Sequence, residues 1–469
     1  MTNIEIILNN SGPLISSELA RKLSDIEKIP LNSASQKVTR SKKVKKIKGF
    51  FVSNQSLCFL EKQYEKGELY SVFSNALYEN GRKYWYALNA IKMHGGVISR
   101  KYLECYTNYP IEPLKKHIPF QQVMQKFVEQ GILVFNDKNE YYFAPKFSPS
   151  DTSSLTYRTI EVIKDDILKN FHTVMKNMGL ISYKSGEIFE EFGKFRWGFK
   201  GVSYLRGLID NKKPGFILAD ILFFIEKLNH VQSFQNSSRV IPFMIIDDLH
   251  PDALEELKKN GIALGLVNEL FGEKYAKALK ELISILNNAG ANLQKEPNKY
   301  LELIKELRTF NETLVFNIRG TLFEYFVGHI HSKRSQSIDL GREIFENNGK
   351  HEIDVFSIYS DKVVFTECKA TNSKIDIDKV NKWIDIKIPA FKTWLLKQEI
   401  LKNHNIEFEY WATGGFTKEA KDRLEKISHQ SKKIKVSYFE PKSIREVTIK
   451  MKNKKLKEAL DNYFLKSKV

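Results

Sequence analysis

The chain is short of cysteine and has no long apolar run. Its three cysteines in 469 residues, Cys58, Cys105 and Cys368, are too few and too dispersed for a disulfide framework or a thiolate zinc site, which indicates a reducing compartment. No apolar run approaches the length of about 20 residues that a helix needs to cross a bilayer. The first residues, MTNIEIILNNSG, also lack the basic-then-apolar layout of a signal peptide. We therefore expect a cytoplasmic protein that has no membrane partner.

Acidic residues and nucleotide-binding motifs are also scarce. The sequence has no GxxxxGK[ST] loop, which excludes a nucleotide-driven motor that acts without a partner. Its 74 Lys and Arg residues outnumber 56 Asp and Glu residues, and the net charge of +18 favours a polyanionic partner, nucleic acid before membrane. The length predicts roughly two to four domains, and an apolar content of 42% is sufficient for ordinary hydrophobic cores.

The richest chemical pattern is a predicted β-hairpin formed by HEIDVFSI and VVFTECKA. Both runs alternate with a period of two residues and are rich in Val, Ile and Phe. With a tight turn between them, Ile358 faces Val363 and Asp354 faces Glu367, and Cβ atoms of such pairs are about 4.5 to 5.5 Å apart. Lys369 lies two residues beyond Glu367 and points to the same face.

Two carboxylates directly opposite each other repel unless a cation lies between them. A hard divalent cation with oxygen ligands, most simply Mg²⁺ with Mn²⁺ as a substitute, fits Asp354 and Glu367 as metal ligands. Lys369 would then orient or deprotonate the attacking water, or neutralise charge that develops on the phosphorane, while the metal polarises the scissile phosphate. The structural alternative is a surface hairpin whose charged residues occupy solvent-facing positions and do no chemistry.

The spacing of Asp354 and the run Glu367-Cys368-Lys369 resembles the D…(D/E)xK signature of the PD-(D/E)xK, or restriction-endonuclease-like, nuclease superfamily. The preceding predicted helix places Glu324 where that superfamily often has an acidic residue that completes or supports the metal site. The resemblance implies that these two carboxylates hold the metal, and that the lysine and Glu324 belong to the catalytic set.

The flanking residues resemble one branch of that superfamily, which includes archaeal Holliday-junction resolvases and Mrr-like enzymes. Glu352 and Ile353 precede the aspartate, and Ile353 stands where the proline of the superfamily name would be. The resemblance covers about residues 312–440, and its remaining predicted elements are a helix over 374–402, a strand over 406–412, a helix over 417–428 and a strand over 434–439.

The first sixty residues have the layout of a winged helix-turn-helix, with predicted helices over 4–10, 16–25 and 32–47 and a hairpin over 49–60. Seven of the twelve residues from Lys37 to Lys48 are basic and none is acidic. On a recognition helix, polar side chains read base edges in the major groove and lysines hold phosphates. The predicted DNA-binding residues are Ser35, Gln36, Lys37, Thr39, Arg40, Lys42, Lys43, Lys45 and Lys46. The alternative is a solvated basic helix end.

Residues 71–146 repeat this layout. We predict one helix over 71–95, a third helix over 120–130 and a hairpin over 131–145 that turns at 136–139. Because this third helix is much less basic than that of the first unit, we expect the second unit to contribute packing, phosphate contacts or a minor share of base reading.

A Ser/Pro-rich joint at 147–154 precedes a third region of alternating helices and strands. We interpret it as a non-catalytic spacer or recognition domain, with a degenerate nuclease fold as one form. Asp220 lies where such a fold places its first acid, but no ExK follows it. The segment FGKFRWGFKG is either a DNA-facing loop or a solvated loop over a core. The basic residues of that loop hypothesis are Lys194, Arg196, Lys200 and Arg206.

The predicted fold class is therefore multidomain, α+β and α/β. The predicted domains are a winged helix-turn-helix unit at 1–66, a second winged-helix unit at 67–150, an α/β spacer at 151–300, and a restriction-endonuclease-like α/β domain at 301–469 that ends in a basic amphipathic helix from 445 onward.

This order is similar to that of type IIS restriction endonucleases, and the resemblance implies a Mg²⁺-dependent DNA endonuclease. Its implied partners are double-stranded DNA, a cognate methyltransferase and, during cleavage, a second copy of the chain. The second copy is needed because one site cuts one strand. Two alternatives stay open. One is a defence or repair nuclease that acts on modified, branched or single-stranded nucleic acid, and the other is a catalytically inert DNA-binding regulator.

Overall fold

The structure is a computed structural model, and it describes residues 1–65, 69–107, 109–115, 117–149, 154–203, 215–220, 240–249, 251–346, 349–430 and 434–465. Its contacts divide the chain into two compact units. Unit 1 consists of Met1–Thr152 and Ile167–Phe271, and unit 2 consists of Ser153–Asp166 and Gly272–Val469. The four-part division predicted from the sequence is finer than this one and stays a prediction.

Unit 1 begins with three helices and a three-stranded antiparallel sheet. The elements are α1 (Asn3–Ser11), β1 (Leu14–Ile15), α2 (Ser16–Glu27), α3 (Leu31–Arg40), β2 (Lys45–Lys48) and β3 (Ser56–Phe59), and the sheet order is β1-β3-β2. A capping box starts α1, because the side chains of Thr2 and Glu5 satisfy each other's backbone N–H groups. Leu8, Leu19 and Leu23 are fully buried between these helices.

The predicted third helix over 32–47 is too long. Helix α3 ends at Arg40, and Lys45–Lys48 forms strand β2. In a helix, the successive lysines would place like charges on neighbouring turns, which is unfavourable. As a strand, the same residues pair with β3, and Ile47 is buried. The basic run is therefore divided between a helix end, a turn and a strand.

The second part of unit 1 also combines helices with a three-stranded antiparallel sheet. Its elements are α4 (Glu61–Glu65), α5 (Leu69–Asn80), α6 (Arg82–Met93), β4 (Val97–Ser99), α7 (Arg100–Cys105), α8 (Phe120–Glu129), β5 (Leu133–Phe135) and β6 (Glu140–Phe143), with sheet order β4-β6-β5. The predicted helix over 120–130 and the hairpin that turns at 136–139 are confirmed. The single helix predicted over 71–95 is wrong, because the chain breaks at Gly81, where a Cβ would lie 2.4 Å from the carbonyl oxygen of Phe50.

An aromatic core joins the first hairpin to this second group of helices. Phe50, which follows β2, stacks on Phe127 with ring centroids 4.9 Å apart and meets Phe73 edge-on at 5.5 Å. Ile47 and Leu57 belong to the same buried cluster. The hairpin of the first predicted unit therefore helps to bury the core of the second.

Unit 1 ends in a five-stranded mixed sheet. After α9 (Ser154–Asn177) come β7 (Glu187–Phe192), β8 (Phe195–Ser203), β9 (Gly215–Asp220), β10 (Val240–Ile246), α10 (Pro251–Lys259), β11 (Ala263–Leu266) and α11 (Val267–Phe271). The strand order is β11-β10-β9-β8-β7. The pairs among β7, β8 and β9 are antiparallel, and the pairs among β9, β10 and β11 are parallel.

The segment predicted as a loop, FGKFRWGFKG, is instead the turn and outgoing strand of the β7–β8 hairpin. The loop prediction is wrong because Phe195, Trp197 and Phe199 alternate with polar residues, and all three are buried on one face of the sheet. Arg206, the last basic residue of that hypothesis, lies outside the described residues.

After its segment of α9, unit 2 continues with five helices. They are α12 (Glu273–Asn287), α13 (Ala289–Lys295), α14 (Lys299–Phe310), α15 (Glu312–Asn317) and α16 (Arg319–Ser332). Helix α16 is buried on almost every side, and its buried residues include Leu322, Phe323, Tyr325 and Phe326. It is therefore a central helix that packs on the sheet of this unit.

A second five-stranded mixed sheet follows. Its elements are β12 (Ser337–Glu346), β13 (Gly349–Ile358), β14 (Lys362–Lys369), α17 (Ile377–Lys382), α18 (Ile388–Leu396), β15 (Asn405–Ala412), α19 (Lys418–Gln430) and β16 (Ile434–Phe439), in the order β12-β13-β14-β15-β16. The predicted register is confirmed, since Ile358 pairs with Val363. Strand β12 is absent from the sequence-based prediction, and it pairs antiparallel with β13.

The predicted C-terminal helix from 445 onward is interrupted. Helix α20 (Pro441–Lys450) ends before Lys452, which has a φ of 51°, and α21 (Lys454–Ala459) continues into a π-helical turn. Ile449, predicted to be on the apolar side, is exposed. Phe464 packs on Phe323 and Phe326 with ring centroids 5.4 and 5.2 Å apart, so the tail docks on α16 of its own unit.

The described residues thus contain two three-stranded antiparallel sheets and two five-stranded mixed sheets, each accompanied by helices. This agrees with the predicted multidomain α+β and α/β class. Within the same residues, the helices are too short or too polar for any of them to cross a membrane.

Candidate active site

Two carboxylates and a lysine meet on neighbouring strands of unit 2. Val355 on β13 pairs with Thr366 on β14, which puts Asp354 opposite Glu367. The Nζ atom of Lys369 lies 3.2 Å from Oδ2 of Asp354 and 2.7 Å from Oε1 of Glu367. The structure therefore brings together the three residues that the hairpin pattern predicted on one face, while their roles stay predictions.

Both carboxylates are buried, with relative exposures of 3% for Asp354 and 5% for Glu367. A buried carboxylate is stable as an ion only when it has partners. Oδ2 of Asp354 accepts the backbone N–H of Cys368 at 2.7 Å. Burial opposes the charge, but Lys369, Lys387 and this N–H group outweigh it, so the pKa of Asp354 lies below its ordinary value.

Lys369 is held between the two acids. Its Nζ atom also donates to the carbonyl oxygen of Cys368 at 2.9 Å. Burial disfavours the ammonium form, but the charges of Asp354 and Glu367 outweigh burial and hold the pKa of Lys369 well above its usual range. The side chain is therefore a cation in this arrangement.

Lys387 is a fourth member of the cluster that sequence reasoning missed. It lies in the π-helical turn Trp383–Lys387 between α17 and α18. Its Nζ atom is 2.5 Å from Oε2 of Glu367, so each oxygen of that carboxylate has its own ammonium partner. The one available sequence signal is that this lysine is flanked by Ile386 and Ile388.

Glu324 lies on α16 beside this cluster, as predicted. It is 4% exposed, and burial together with the charge of Asp354 raises the pKa of Glu324 to about 8. Its Oε2 atom has no hydrogen-bond partner within the described part of the chain. A buried acceptor without a partner is costly and calls for an explanation at a functional site.

The nearest cation to Glu324 is Arg158, a second residue that sequence reasoning missed. It lies on the part of α9 that belongs to unit 2, with Nη1 3.9 Å from Oε1 of Glu324. Its Nη2 forms an ion pair with Glu352, two residues before Asp354 on β13. No motif connects Arg158 to the hairpin, because the two are far apart along the chain.

Within the described residues, no three or more His, Cys, Asp or Glu side chains are grouped as a metal site. The acidic oxygens of Asp354 and Glu367 instead face the ammonium groups of Lys369 and Lys387.

The basic run near the N-terminus is not as free of acids as its sequence suggests. Lys37 lies 2.6 Å from Glu27, Lys43 lies 3.5 Å from Glu5, and Lys45 lies 3.4 Å from Glu61. These ion pairs are exposed and are worth little individually. Acids on α1, α2 and α4 therefore offset part of the charge of the basic run.

Other predicted DNA-binding residues have different settings. Lys46 donates from Nζ to the carbonyl oxygen of Thr39 at 2.8 Å, and Thr39 donates its hydroxyl to the carbonyl oxygen of Ser35. These contacts tie β2 to the end of α3. Eight of the nine predicted DNA-binding residues are exposed, and Lys46 is partly buried.

The basic residues on the β7–β8 hairpin also face acids within unit 1. Arg196 lies 2.8 Å from Glu104 and 3.0 Å from Glu191, and Lys194 lies 2.8 Å from Glu112. This hairpin therefore presents paired charges rather than the basic loop of the DNA-facing hypothesis.

Asp220 does not occupy the position of a first acid. It is the last residue of β9, the third strand of its sheet, whereas Asp354 is on β13, the second strand of the other sheet. By strand order, Asp220 corresponds to Glu367. The prediction was wrong because the preceding strands β7 and β8 were not recognised.

No family model matches the chain, and no solved structure matches it. A curated protein, the CRISPR-associated endoribonuclease Cas13a of Leptotrichia wadei (strain F0279), is 24% identical over 289 residues. That match covers 58% of this chain and 22% of the relative, so the chain spans about a fifth of the relative's length.

Proposed function

We propose that unit 2 is a divalent-cation-dependent nuclease domain with a restriction-endonuclease-like fold. The observation that carries the proposal is the meeting of Asp354, Glu367 and Lys369 on two adjacent strands. The order of one helix, three antiparallel strands, helix, parallel strand, helix and parallel strand, from α16 to β16, supports it.

The donor atoms of this cluster fit a hard cation. Asp354, Glu367 and Glu324 offer carboxylate oxygens, the donors that Mg²⁺ prefers, and Mn²⁺ accepts the same set. The partnerless Oε2 of Glu324 supports a third oxygen ligand. When bound, the cation would act as a Lewis acid on a phosphate oxygen and lower the pKa of a bound water.

The protein's own groups define the rest of the chemistry. Lys369 holds its proton between two carboxylates, which favours stabilisation of charge on the phosphate over removal of a proton from water. Lys387 fixes the orientation of Glu367 through Oε2 and leaves Oε1 to the centre of the cluster. Hydrolysis adds a water oxygen to phosphorus and breaks one P–O ester bond, and the leaving oxygen takes up a proton.

The N-terminal part of unit 1 supports a nucleic-acid-binding role. The order α1-β1-α2-α3-β2-β3 resembles that of a winged helix-turn-helix, and α3 with Arg40 and Lys42 is its proposed recognition surface. A recognition part that precedes a cleavage part is the layout of a type IIS-like restriction endonuclease. In that reading the substrate is double-stranded DNA, two copies of the chain associate transiently for a double-strand break, and a methyltransferase protects the host.

The test is direct. The purified chain is incubated with unmodified genomic DNA and Mg²⁺, with Asp354→Ala as the matched control, and every new end is sequenced. Ends at a constant distance from one short asymmetric sequence, absent from the control, would support the type IIS-like enzyme. Scattered ends would favour a defence or repair nuclease. No ends on duplex, branched or single-stranded DNA would favour the inert regulator.

RNA is a second candidate substrate, because the similar protein from Leptotrichia wadei is named as an endoribonuclease. The same incubation with a structured RNA and with its DNA counterpart separates the two. Cleavage of RNA alone, lost in Asp354→Ala, would replace DNA by RNA and leave the proposed active site intact.

A further inference from the structure

Arg158 occupies a place that the motif does not account for. Its guanidinium contacts the carboxylates of Glu324 and Glu352, at the edge of the Asp354–Lys369 cluster. Both partners are well buried, with side-chain exposures of 5% and 19%, whereas the side chain of Arg158 is 42% exposed. One edge of the guanidinium therefore faces acids while the rest reaches solvent.

The charges of the cluster explain why the partly exposed guanidinium of Arg158 is significant. The described side chains around it include the carboxylates of Glu324, Glu352, Asp354 and Glu367, and the cations Arg158, Lys369 and Lys387. A phosphodiester brings further negative charge to this surface. The guanidinium lies 3.9 Å from Oε1 of Glu324, which is beyond hydrogen-bond distance, and its exposed part carries positive charge at the solvent edge.

We propose that Arg158 binds a backbone phosphate of the nucleic acid next to the scissile bond, with Glu352 as its tether. The inference rests on the proposed nuclease function and adds a residue to its substrate site. Arginine suits the task because its planar group has five N–H donors, so one edge holds Glu352 while another donates two hydrogen bonds to phosphate oxygens. Lysine cannot keep both partners with the same geometry.

The experiment uses the full chain and a duplex or RNA oligonucleotide that carries the cut site. Single phosphates near that site are replaced, one at a time, by uncharged methylphosphonates. Single-turnover cleavage is compared for the unaltered protein, Arg158→Ala, Arg158→Lys and Lys169→Ala, an exposed lysine on the same helix. Thermal unfolding of each variant shows whether it is folded.

We expect Arg158→Ala to cleave about 10²-fold more slowly and Arg158→Lys to recover only part of that loss, while Lys169→Ala matches the unaltered protein. At one phosphate, the methylphosphonate should slow cleavage by the unaltered protein about 10-fold or more. It should have little further effect on Arg158→Ala, because the arginine that would contact this phosphate is already missing. If the role of Arg158 is only structural, no phosphate should show this loss of sensitivity in Arg158→Ala.

The other outcomes are also decisive. The unaltered protein could cleave while every methylphosphonate slows Arg158→Ala by the same factor as it slows the unaltered protein. In that case Arg158 does not bind phosphate, and the nuclease proposal stands. If Arg158→Ala is unfolded, the same methylphosphonate scan is made with Arg158→Lys. If Arg158→Lys cleaves at the full rate and is sensitive to the same phosphates as the unaltered protein, the inference is overturned. If the unaltered protein cleaves nothing, the nuclease proposal fails and the inference fails with it.

Discussion

The two five-stranded sheets of this chain have the same strand order and the same strand directions, but different side chains at the corresponding place. In unit 2, Val355 pairs with Thr366, which leaves Asp354 opposite Glu367. In unit 1, Phe199 pairs with Ala219, which leaves Gly198 opposite Asp220. The first sheet therefore has one acid where the second has two.

The sequence after this position differs as well. Glu367 is followed at the second residue by Lys369, whereas Asp220 is followed by Leu222. The helix segment of α9 in unit 1, residues 167–177, has no acid, whereas α16 carries Glu324. Among the residues that the structure describes, the sheet of unit 1 therefore lacks most of the charged set of unit 2.

This comparison shows that the topology does not require the charged cluster. Burying carboxylates costs several kcal/mol per ion before partners compensate, and the sheet of unit 1 forms without most of that cost. A cluster of buried, mutually perturbed titratable groups is typical of functional sites. The difference supports a division of roles, in which the first sheet is a scaffold and the second carries the chemistry.

The largest expected effect tests the division of roles between the two sheets, at Asp354 and Asp220. Asp354→Asn should lower cleavage by at least about 10³-fold, because it removes a charged oxygen ligand, whereas Asp220→Asn should leave cleavage within about twofold. Single-turnover rates under the same Mg²⁺ concentration measure both. Equal losses in the two variants would mean that the first sheet also takes part in the chemistry.

Lys369→Ala should have the next largest effect, a loss of about 10² to 10³-fold in cleavage rate at saturating substrate. The reason is the removal of the cation that contacts both carboxylates. Lys369→Arg should retain more activity than Lys369→Ala, because it keeps the charge. An alanine variant with full activity would exclude Lys369 from the mechanism.

The raised pKa of Glu324 predicts that the stability of unit 2 depends on pH. Because its folded pKa of about 8 exceeds the ordinary value of 4.5, the folded chain keeps a proton that the unfolded chain releases. This contribution is fully present below about pH 4.5 and is lost as pH rises toward 8. Without added divalent cation, the free energy of unfolding should fall by at most about 1.4 kcal/mol per pH unit over this window, and Glu324→Gln should remove that fall.

Urea denaturation at several pH values measures this slope in the unaltered chain and in Glu324→Gln. The glutamine keeps the size of the side chain and cannot ionise. If both proteins show the same slope, Glu324 is not the titrating group.

Lys387→Ala should lower cleavage about 10-fold, because Glu367 keeps Lys369 but loses its second partner. The matched control is Lys392→Ala, an exposed lysine on α18. A loss of equal size in the control would point to a general charge effect rather than to the orientation of Glu367.

The smallest effect concerns binding rather than chemistry. Replacing Arg40 and Lys42 by Ala should weaken nucleic-acid binding and reduce the salt slope of the binding constant by about 1 for each phosphate contact removed. Lys37→Ala should change the slope less, because Lys37 already pairs with Glu27. Titrations between about 50 and 200 mM salt measure the slope, and an unchanged slope in the double variant would exclude α3 from the interface.

Local patterns predicted some parts of this protein well. The register of the β13–β14 hairpin follows from a period of two residues and one tight turn, and it places Asp354, Glu367 and Lys369 together. The hairpin at 131–145 and helix α8 follow from equally local signals. In these segments, residues that are close in sequence determine one another's geometry.

Other elements depended on strand partners that their own residues do not specify. The lysines at 45–48 read as a helix end until β3 pairs with them, and the segment around Trp197 reads as a loop until two neighbouring strands bury it. A short strand gains its hydrogen bonds from its neighbours in the sheet, so its own sequence is ambiguous.

The sequence by itself determined the charge of the protein, the local hairpins and the D…ExK spacing, because each depends on composition or on residues within one or two turns. The tertiary structure alone decided that Lys387 meets Glu367, that Arg158 meets Glu324, and that acids from other helices face the basic run. These contacts join side chains on separate elements, and only the packing of helices on sheets brings such elements within reach of a hydrogen bond or an ion pair.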